Sequence, residues 1–201
     1  MRGVLQGFHE GHIAYLMLLL KRSGPIGRKS ISKFLNLSET SVRTLLKRLN
    51  RAGIVSIDLV AGAYLTNYGE ELANEITNLL QVHLAPQIYG WSNALLVALK
   101  VPLSLELGVL EIRDLAVSSG ARACLVATVS ENSLIVPGID PSASEYIEFA
   151  NLVKSIFTEK LGMFQTIMLI DFKKGGGLID GYKVGIAVLK HYCEGLRSLL
   201  K

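Results

Sequence analysis

The stretch from Pro25 to Gly69, PIGRKSISKFLNLSETSVRTLLKRLNRAGIVSIDLVAGAYLTNYG, decides how this chain is read. Ile31, Phe34 and Leu35 set one side of a short helix from about Ser30. Asn36-Leu37-Ser38 makes a tight turn, and Ser38 is a side-chain cap for a new helix whose first residue, Glu39, suits the positive end of the helix dipole. In that helix Val42, Leu45, Leu46 and Leu49 recur at i, i+3, i+4, i+7 and define a buried face. Thr40, Arg43, Thr44, Lys47 and Arg51 fall on the opposite face. Ala52-Gly53 ends it. Ile54 to Leu59 and Ala63 to Leu65 then read as two strands around Ala61-Gly62, and Thr66 caps a fourth helix expected from about Asn67 to His83.

Helix, turn, helix and hairpin in this order spell a winged helix-turn-helix, and charge gathers on it. Between Lys21 and Arg51 there are nine Lys and Arg and a single acid, Glu39, a local +8. Residues 1–80 carry +4 and residues 81–201 are neutral, which points to two modules with different tasks. A basic, hydroxyl-bearing helix face of this kind suits the major groove: its cations reach phosphates or guanine edges, and its hydroxyls reach phosphates or bases. The candidate nucleic-acid-binding set is Arg28, Lys29, Thr40, Arg43, Thr44, Lys47, Arg48 and Arg51. The alternative is a solvated basic face on an ordinary helical domain. The hairpin tip, Val60 to Ala63, has no Arg or Lys and follows Asp58, so the usual cationic minor-groove contact is missing from it.

Ahead of this stretch, a first helix is expected from about Glu10 to Arg22, stopped by Ser23-Gly24-Pro25. Its apolar run, Ile13 to Leu20, is far short of the roughly 20 residues a membrane span needs, and it lacks the flanks of a signal peptide. Half of the 201 residues are hydrophobic, so a sizeable core is expected. Cys124 and Cys193 lie in apolar surroundings and read as small buried hydrophobes in a reducing cytoplasm.

Ala85 to Gly90 interrupts the helical pattern and sets the expected boundary between domains 1–84 and 85–201. Beyond it are a strand over Asn93–Val101, a helix over Val109–Ser119 and a hairpin formed by Arg122–Val129 and Ser133–Val136. A helix opened by Asp140-Pro141 and running to about Lys160 follows, then a strand over Met163–Phe172. A last helix carries Ile179, Tyr182, Ile186, Leu189, Cys193, Leu196 and Leu200 on one stripe. This order predicts a two-layer α+β domain on a roughly four-stranded sheet, serving as sensor or dimerisation unit.

Chemistry is hard to find in this second half. Lys173, Lys174, Gly175 and Gly176 precede a helix start and form a candidate anion cradle, although their spacing matches neither GxxxxGK[ST] nor GxGxxG and a flexible turn is the plainer reading. Arg113 and Asp114, with Glu111, are candidate small-ligand contacts or a plain surface ion pair. The four histidines and two cysteines lack metal-ligand spacing, and no nucleophile, base and orienting group line up, so neither a cofactor nor an enzymatic activity is expected.

The segment from Gly27 to Val55, then EIRDLA at 111–116 and SGARA at 119–123, resembles an archaeal family of two-domain winged-helix proteins catalogued as a domain of unknown function. The wing exit, Leu65 to Leu72, is similar to that of many winged-helix repressors. The resemblance implies an archaeal transcription regulator whose C-terminal fold looks like the small α+β insertion domain of bacterial aspartyl- and glutamyl-tRNA enzymes. The expectation is a dimeric, cytoplasmic regulator bound to double-stranded DNA, with a small-molecule effector unassigned. The seam is expected on the apolar stripes of the fourth and last helices. The rival readings are an RNA-binding protein and a protein-interaction adaptor on a winged-helix scaffold.

Overall fold

The structure, a computed structural model, describes residues 7–104, 107–131, 133–173 and 176–198. These residues form eight α-helices and two antiparallel sheets. They divide into two units, one running to Asn78 and taking in Glu194–Ser198, the other spanning Leu79–Cys193.

The first unit begins with α1 (Glu10–Ser23), whose capping box comes from His9 and His12. Next come α2 (Arg28–Leu35) and α3 (Glu39–Arg51), with the hairpin β1 (Val55–Asp58) and β2 (Gly62–Leu65) behind them. Ile13, Leu16, Met17 and Leu20 of α1, Ile31 and Leu35 of α2, and the α3 stripe are all buried. The buried stripes of all three helices thus go inward and their charges outward, as the 3.6-residue period requires, but Phe34, expected beside Ile31 and Leu35, is exposed. Thr66 accepts from the Gly69 N–H and caps α4 (Asn67–Leu79).

The fourth helix is shorter than the sequence reading expects. Leu72, Ile76, Leu79 and His83 keep helical spacing, but Leu80, Val82 and Leu84 also alternate with period 2, and the alternation wins. Leu80–Leu84 is strand β3, paired antiparallel with β4 (Ala94–Leu99). The units therefore divide at Asn78/Leu79 rather than at 84/85.

This edge strand corrects the second unit from about four strands to five, in the order β3-β4-β7-β5-β6, with β5 (Ala121–Ser130), β6 (Ser133–Ile135) and β7 (Thr166–Phe172). The two-layer expectation is also corrected. Leu96, Ala98, Ala127, Ile167 and Leu169 pack on Phe149, Val153 and Phe157 of α6 (Ser144–Phe157). Their alternate neighbours point to the opposite face. There α7 (Leu178–Leu189) packs on β3 and β4, and α5 (Val109–Ser118) packs on β5 and α7. Gly181 and Gly185 let α7 approach, since a Cβ at either would collide with Val82 or Leu80. The sheet is thus the middle of three layers. Every residue of β4 and β7 is buried, and β4 and the Ile167–Ile170 run of β7 show the continuous apolar signature of a strand covered on both faces.

Two helix ends also differ. Asp140 accepts from the backbone and hydroxyl of Ser142 and closes a turn, so α6 starts at Ser144. The last helical stripe is two helices: α7 ends at Leu189, and α8 (Glu194–Ser198) belongs to the first unit. Leu200, placed on that stripe, lies outside the described residues.

Candidate nucleic-acid interface

The turn between α2 and α3 is locked by local chemistry. Asn36 takes the left-handed conformation (φ 52°) that ends α2, and Ser32 donates from its hydroxyl to the Leu37 carbonyl at 2.5 Å. Ser38 accepts from the Ser41 N–H at 3.1 Å, satisfying one of the orphan donors of α3. With Val42, Leu45, Leu46 and Leu49 buried, the opposite face has no choice but to face water. Thr40, Arg43, Thr44, Lys47 and Arg51 are exposed, and Arg48 is half-buried at their side. Arg43, Thr44, Lys47, Arg48 and Arg51 line a shallow concavity of about 530 Å³. Four cations and no carboxylate meet there. Like charges within about one Debye length of each other favour a polyanion that relieves their repulsion.

The one acid of the segment is turned aside. Glu39 lies 3.6 Å from Arg28, with both side chains nearly half exposed. The pair contributes about 0–1 kcal/mol and offsets part of the Arg28 charge while leaving the outer face of α3 uniformly positive. Lys29 is exposed beside it in the first turn of α2. The hydroxyls are less equal than the sequence suggests. Thr44 donates back to the Thr40 carbonyl at 3.1 Å, so its proton is engaged and it offers only lone pairs to a ligand.

A second groove, of about 440 Å³, runs between α3 and the hairpin. Gly27, Arg28, Arg43, Lys47 and Asn50 line one side, and Ile57 to Val60 the other. Two residues absent from the candidate set shape it. Asn50 donates to the Val55 carbonyl at 2.9 Å and ties the end of α3 to β1. Ile26 exchanges a pair of 2.9 Å backbone hydrogen bonds with Ala63, making a third strand-like segment beside β2. Gly62 permits this approach: its φ is 104°, and a Cβ there would stand 2.5 Å from the Ile26 carbonyl oxygen. The signal was present in sequence as Gly62 and Asn50, but a single bridging residue has no periodicity to reveal it.

At the hairpin tip the Asp58 carboxylate accepts from the N–H groups of Val60 and Ala61, each at 2.7 Å. These bonds hold its carboxyl below the ordinary Asp range and pin the turn. Leu59 and Val60, between them, are fully exposed at 101% and 97%.

The other candidates separate. Arg113 and Asp114 are exposed on α5, while Glu111 accepts from the Gly108 N–H at 3.1 Å as that helix's cap. Of the glycine-rich run, Lys173 is exposed, and Gly176 packs tightly under Phe172 and the Asn93 carbonyl. Lys174 and Gly175 lie outside the described residues. The Gly177 N–H, at the start of α7, donates to Asp180 at 3.1 Å, so a carboxylate of the chain already occupies part of that N-terminus. Cys124 is buried, and burial pushes its thiol up to about 12 against the pull of the Arg113 charge. His9 and His12 each use Nδ1 to accept a backbone N–H at 3.2 Å, a capping role. Among the described residues no group of three or more His, Cys, Asp or Glu is placed to hold a metal, and no helix is long and apolar enough to cross a membrane. The ion pair that sequence reasoning missed is Arg122 with Asp171, 2.5 Å apart, the carboxylate buried and the guanidinium half exposed.

The PH0730-like N-terminal domain model matches residues 10–71, from the first residue of α1 into α4. A solved structure, the hypothetical protein PH0730 from Pyrococcus horikoshii OT3, covers 96% of this chain and 100% of its own. Its TM-score is 0.67 at 23% identity, a likeness of fold. None of the curated proteins matches the chain.

Proposed function

We propose that the first unit is a winged helix-turn-helix and that the chain is a DNA-binding transcription regulator. In this reading α3 enters the major groove, β1 and β2 form the wing, and the second unit acts as effector or dimerisation domain. The observation that carries the reading is the outer face of α3. Arg43, Lys47, Arg48 and Arg51 line one concavity, and the buried stripe behind them fixes their direction. Arg43 and Lys47 stand one turn apart, nearer than Arg51 to the N-terminal half of the helix that approaches base edges, and Arg51 stands at the end that meets backbone.

The chain is proposed to act as a two-fold pair, since symmetric sites match symmetric proteins. Leu72 and Ile76 of α4 and Ile186 and Leu189 of α7 are buried within the single chain while Leu79, Ile179 and Tyr182 are half-buried, and Leu110 and Val117 of α5, exposed two turns apart, offer a further seam. Light scattering at micromolar concentration tests the pair, and a clean monomer refutes it. No reaction is assigned to either unit. The deciding experiment is fluorescence anisotropy with a duplex selected from a random pool, competed by random duplex and by structured RNA. Selected duplex is expected to win over both. Preferential displacement by RNA would transfer the same basic face to the RNA-binding reading.

A further inference from the structure

The hairpin tip is unusual for an exposed turn. Turns are ordinarily built from Gly, Asn, Asp, Ser or Pro, and here Leu59 and Val60 stand fully in solvent beside Ile57 and Tyr64, which are 49% and 41% exposed. Nor is the tip loosely held. Asp58 clamps the turn from within through two backbone N–H groups, and the Ile26–Ala63 pair anchors β2 to the start of α2. Two branched apolar side chains are therefore presented on a fixed support.

What they face follows from the groove beside them. Its α2–α3 wall carries Arg28, Arg43 and Lys47, and its hairpin wall is apolar apart from Asp58, whose carboxylate is turned to its own backbone. In a duplex, one sugar-phosphate strand separates the major groove from the adjacent minor groove. With α3 in the major groove, that strand fits the cationic groove, and the tip beyond it meets the minor groove. Leu and other apolar side chains in that position act as wedges: they enter a base step, unstack it and kink the duplex toward the major groove. The absence of Arg and Lys from the tip then ceases to be a defect.

We propose that Leu59 and Val60 form an apolar minor-groove wedge that bends the duplex held by α3. The inference rests on the DNA-binding reading above. Its chemistry also selects sequence: pyrimidine–purine steps unstack at least cost, so a TA or CA step is preferred under the tip although no base edge there is hydrogen-bonded.

The test uses the full chain and a duplex of about 30 base pairs, near a fifth of the DNA persistence length, with a dye at each end and a TA step beside the α3 site. Energy transfer reports the bend and anisotropy reports binding. Wild type is expected to raise the transfer. Leu59→Ala/Val60→Ala is expected to abolish the rise and to lose about tenfold in affinity for the TA duplex over one with a stiff A-tract there. Its salt slope should be unchanged, because no charge is removed. Leu59→Lys/Val60→Lys separates a wedge from mere proximity to phosphate: it should bind more tightly at low salt and still fail to bend. Melting curves matching wild type show that the variants fold, as expected for fully exposed positions. If wild type binds duplex without bending it, or the Ala variant bends it equally, the wedge is refuted while the DNA-binding reading stands; the tip then belongs to a protein contact. If wild type binds no duplex with salt dependence, the DNA-binding reading itself fails and the wedge falls with it.

Discussion

The salt dependence of duplex binding tests the basic face most directly, because it counts charges. Four cations line the concavity on α3, and Arg28 and Lys29 stand at the start of α2. Taking roughly four to six phosphate contacts per subunit, with about −0.9 for each neutralised phosphate, log K should fall against log salt with a slope of about −3.6 to −5.4. Raising salt fourfold, from about 50 to 200 mM, should then cost roughly 10²- to 10³-fold in affinity. Arg51→Ala deletes one such contact at the backbone end of α3. It should lower the slope by about 0.9, so the wild-type advantage over the variant shrinks about 3.5-fold across that salt range, equally for selected and random duplex. Arg43→Ala should lower the slope too, and should in addition lose about 1–3 kcal/mol of preference for the selected site. Thr44→Ala should stay within about 0.5 kcal/mol of wild type, because its hydroxyl proton is engaged by the Thr40 carbonyl. The assay is anisotropy at five or more salt concentrations with each variant. A slope that neither Arg43→Ala nor Arg51→Ala changes would mean that phosphates do not meet this face.

Three further outcomes are expected of the fold. Gly69→Ala should destabilise by about 1–3 kcal/mol in urea unfolding, since its Cβ would press on the Ile54 carbonyl that precedes β1; a neutral result would show that this junction gives way. Arg122→Ala strands the buried Asp171 carboxylate and should cost up to about 3 kcal/mol, with Arg122→Ala/Asp171→Asn recovering part of it; equal losses in the two variants would deny the pair a role. Burial lowers the pKa of His83 in the folded chain, so below the ordinary His value the unfolded chain binds the proton more readily. That contribution to stability is present above about pH 6.5 and is lost as pH falls through the lower folded value; the melting temperature should decline over this window, and His83→Phe should flatten the decline.

The basic helix was legible because its two faces differ in kind at each turn. Val42, Leu45, Leu46 and Leu49 can only be core, and helical geometry then fixes where Arg43, Lys47 and Arg51 point. Thr66 and Ser38 were equally legible, since a cap is a local hydrogen bond. Where one segment satisfied two periods, the local pattern had no means to choose. Leu80 to Leu84 fits both a helix and a strand, and the choice fell to the partner, β4, whose backbone groups need pairing on that edge. The all-apolar run of β4 and the Ile167–Ile170 run of β7 already carried the third layer, but reading it requires knowing that both faces are covered.

By itself the sequence determined the helix order of the first unit, the outward basic face and the charge contrast between the halves, because each follows from neighbours within a few residues. Tertiary structure alone decided the pairing of Ile26 with Ala63, the meeting of Arg122 with Asp171 across two strands, and the split of the last helical stripe between two units. It also decided that a basic groove lies between α3 and an apolar hairpin tip. Those are contacts between residues far apart in the chain, and burial, close backbone approach and hydrogen-bond pairing across strands set them where no local period can.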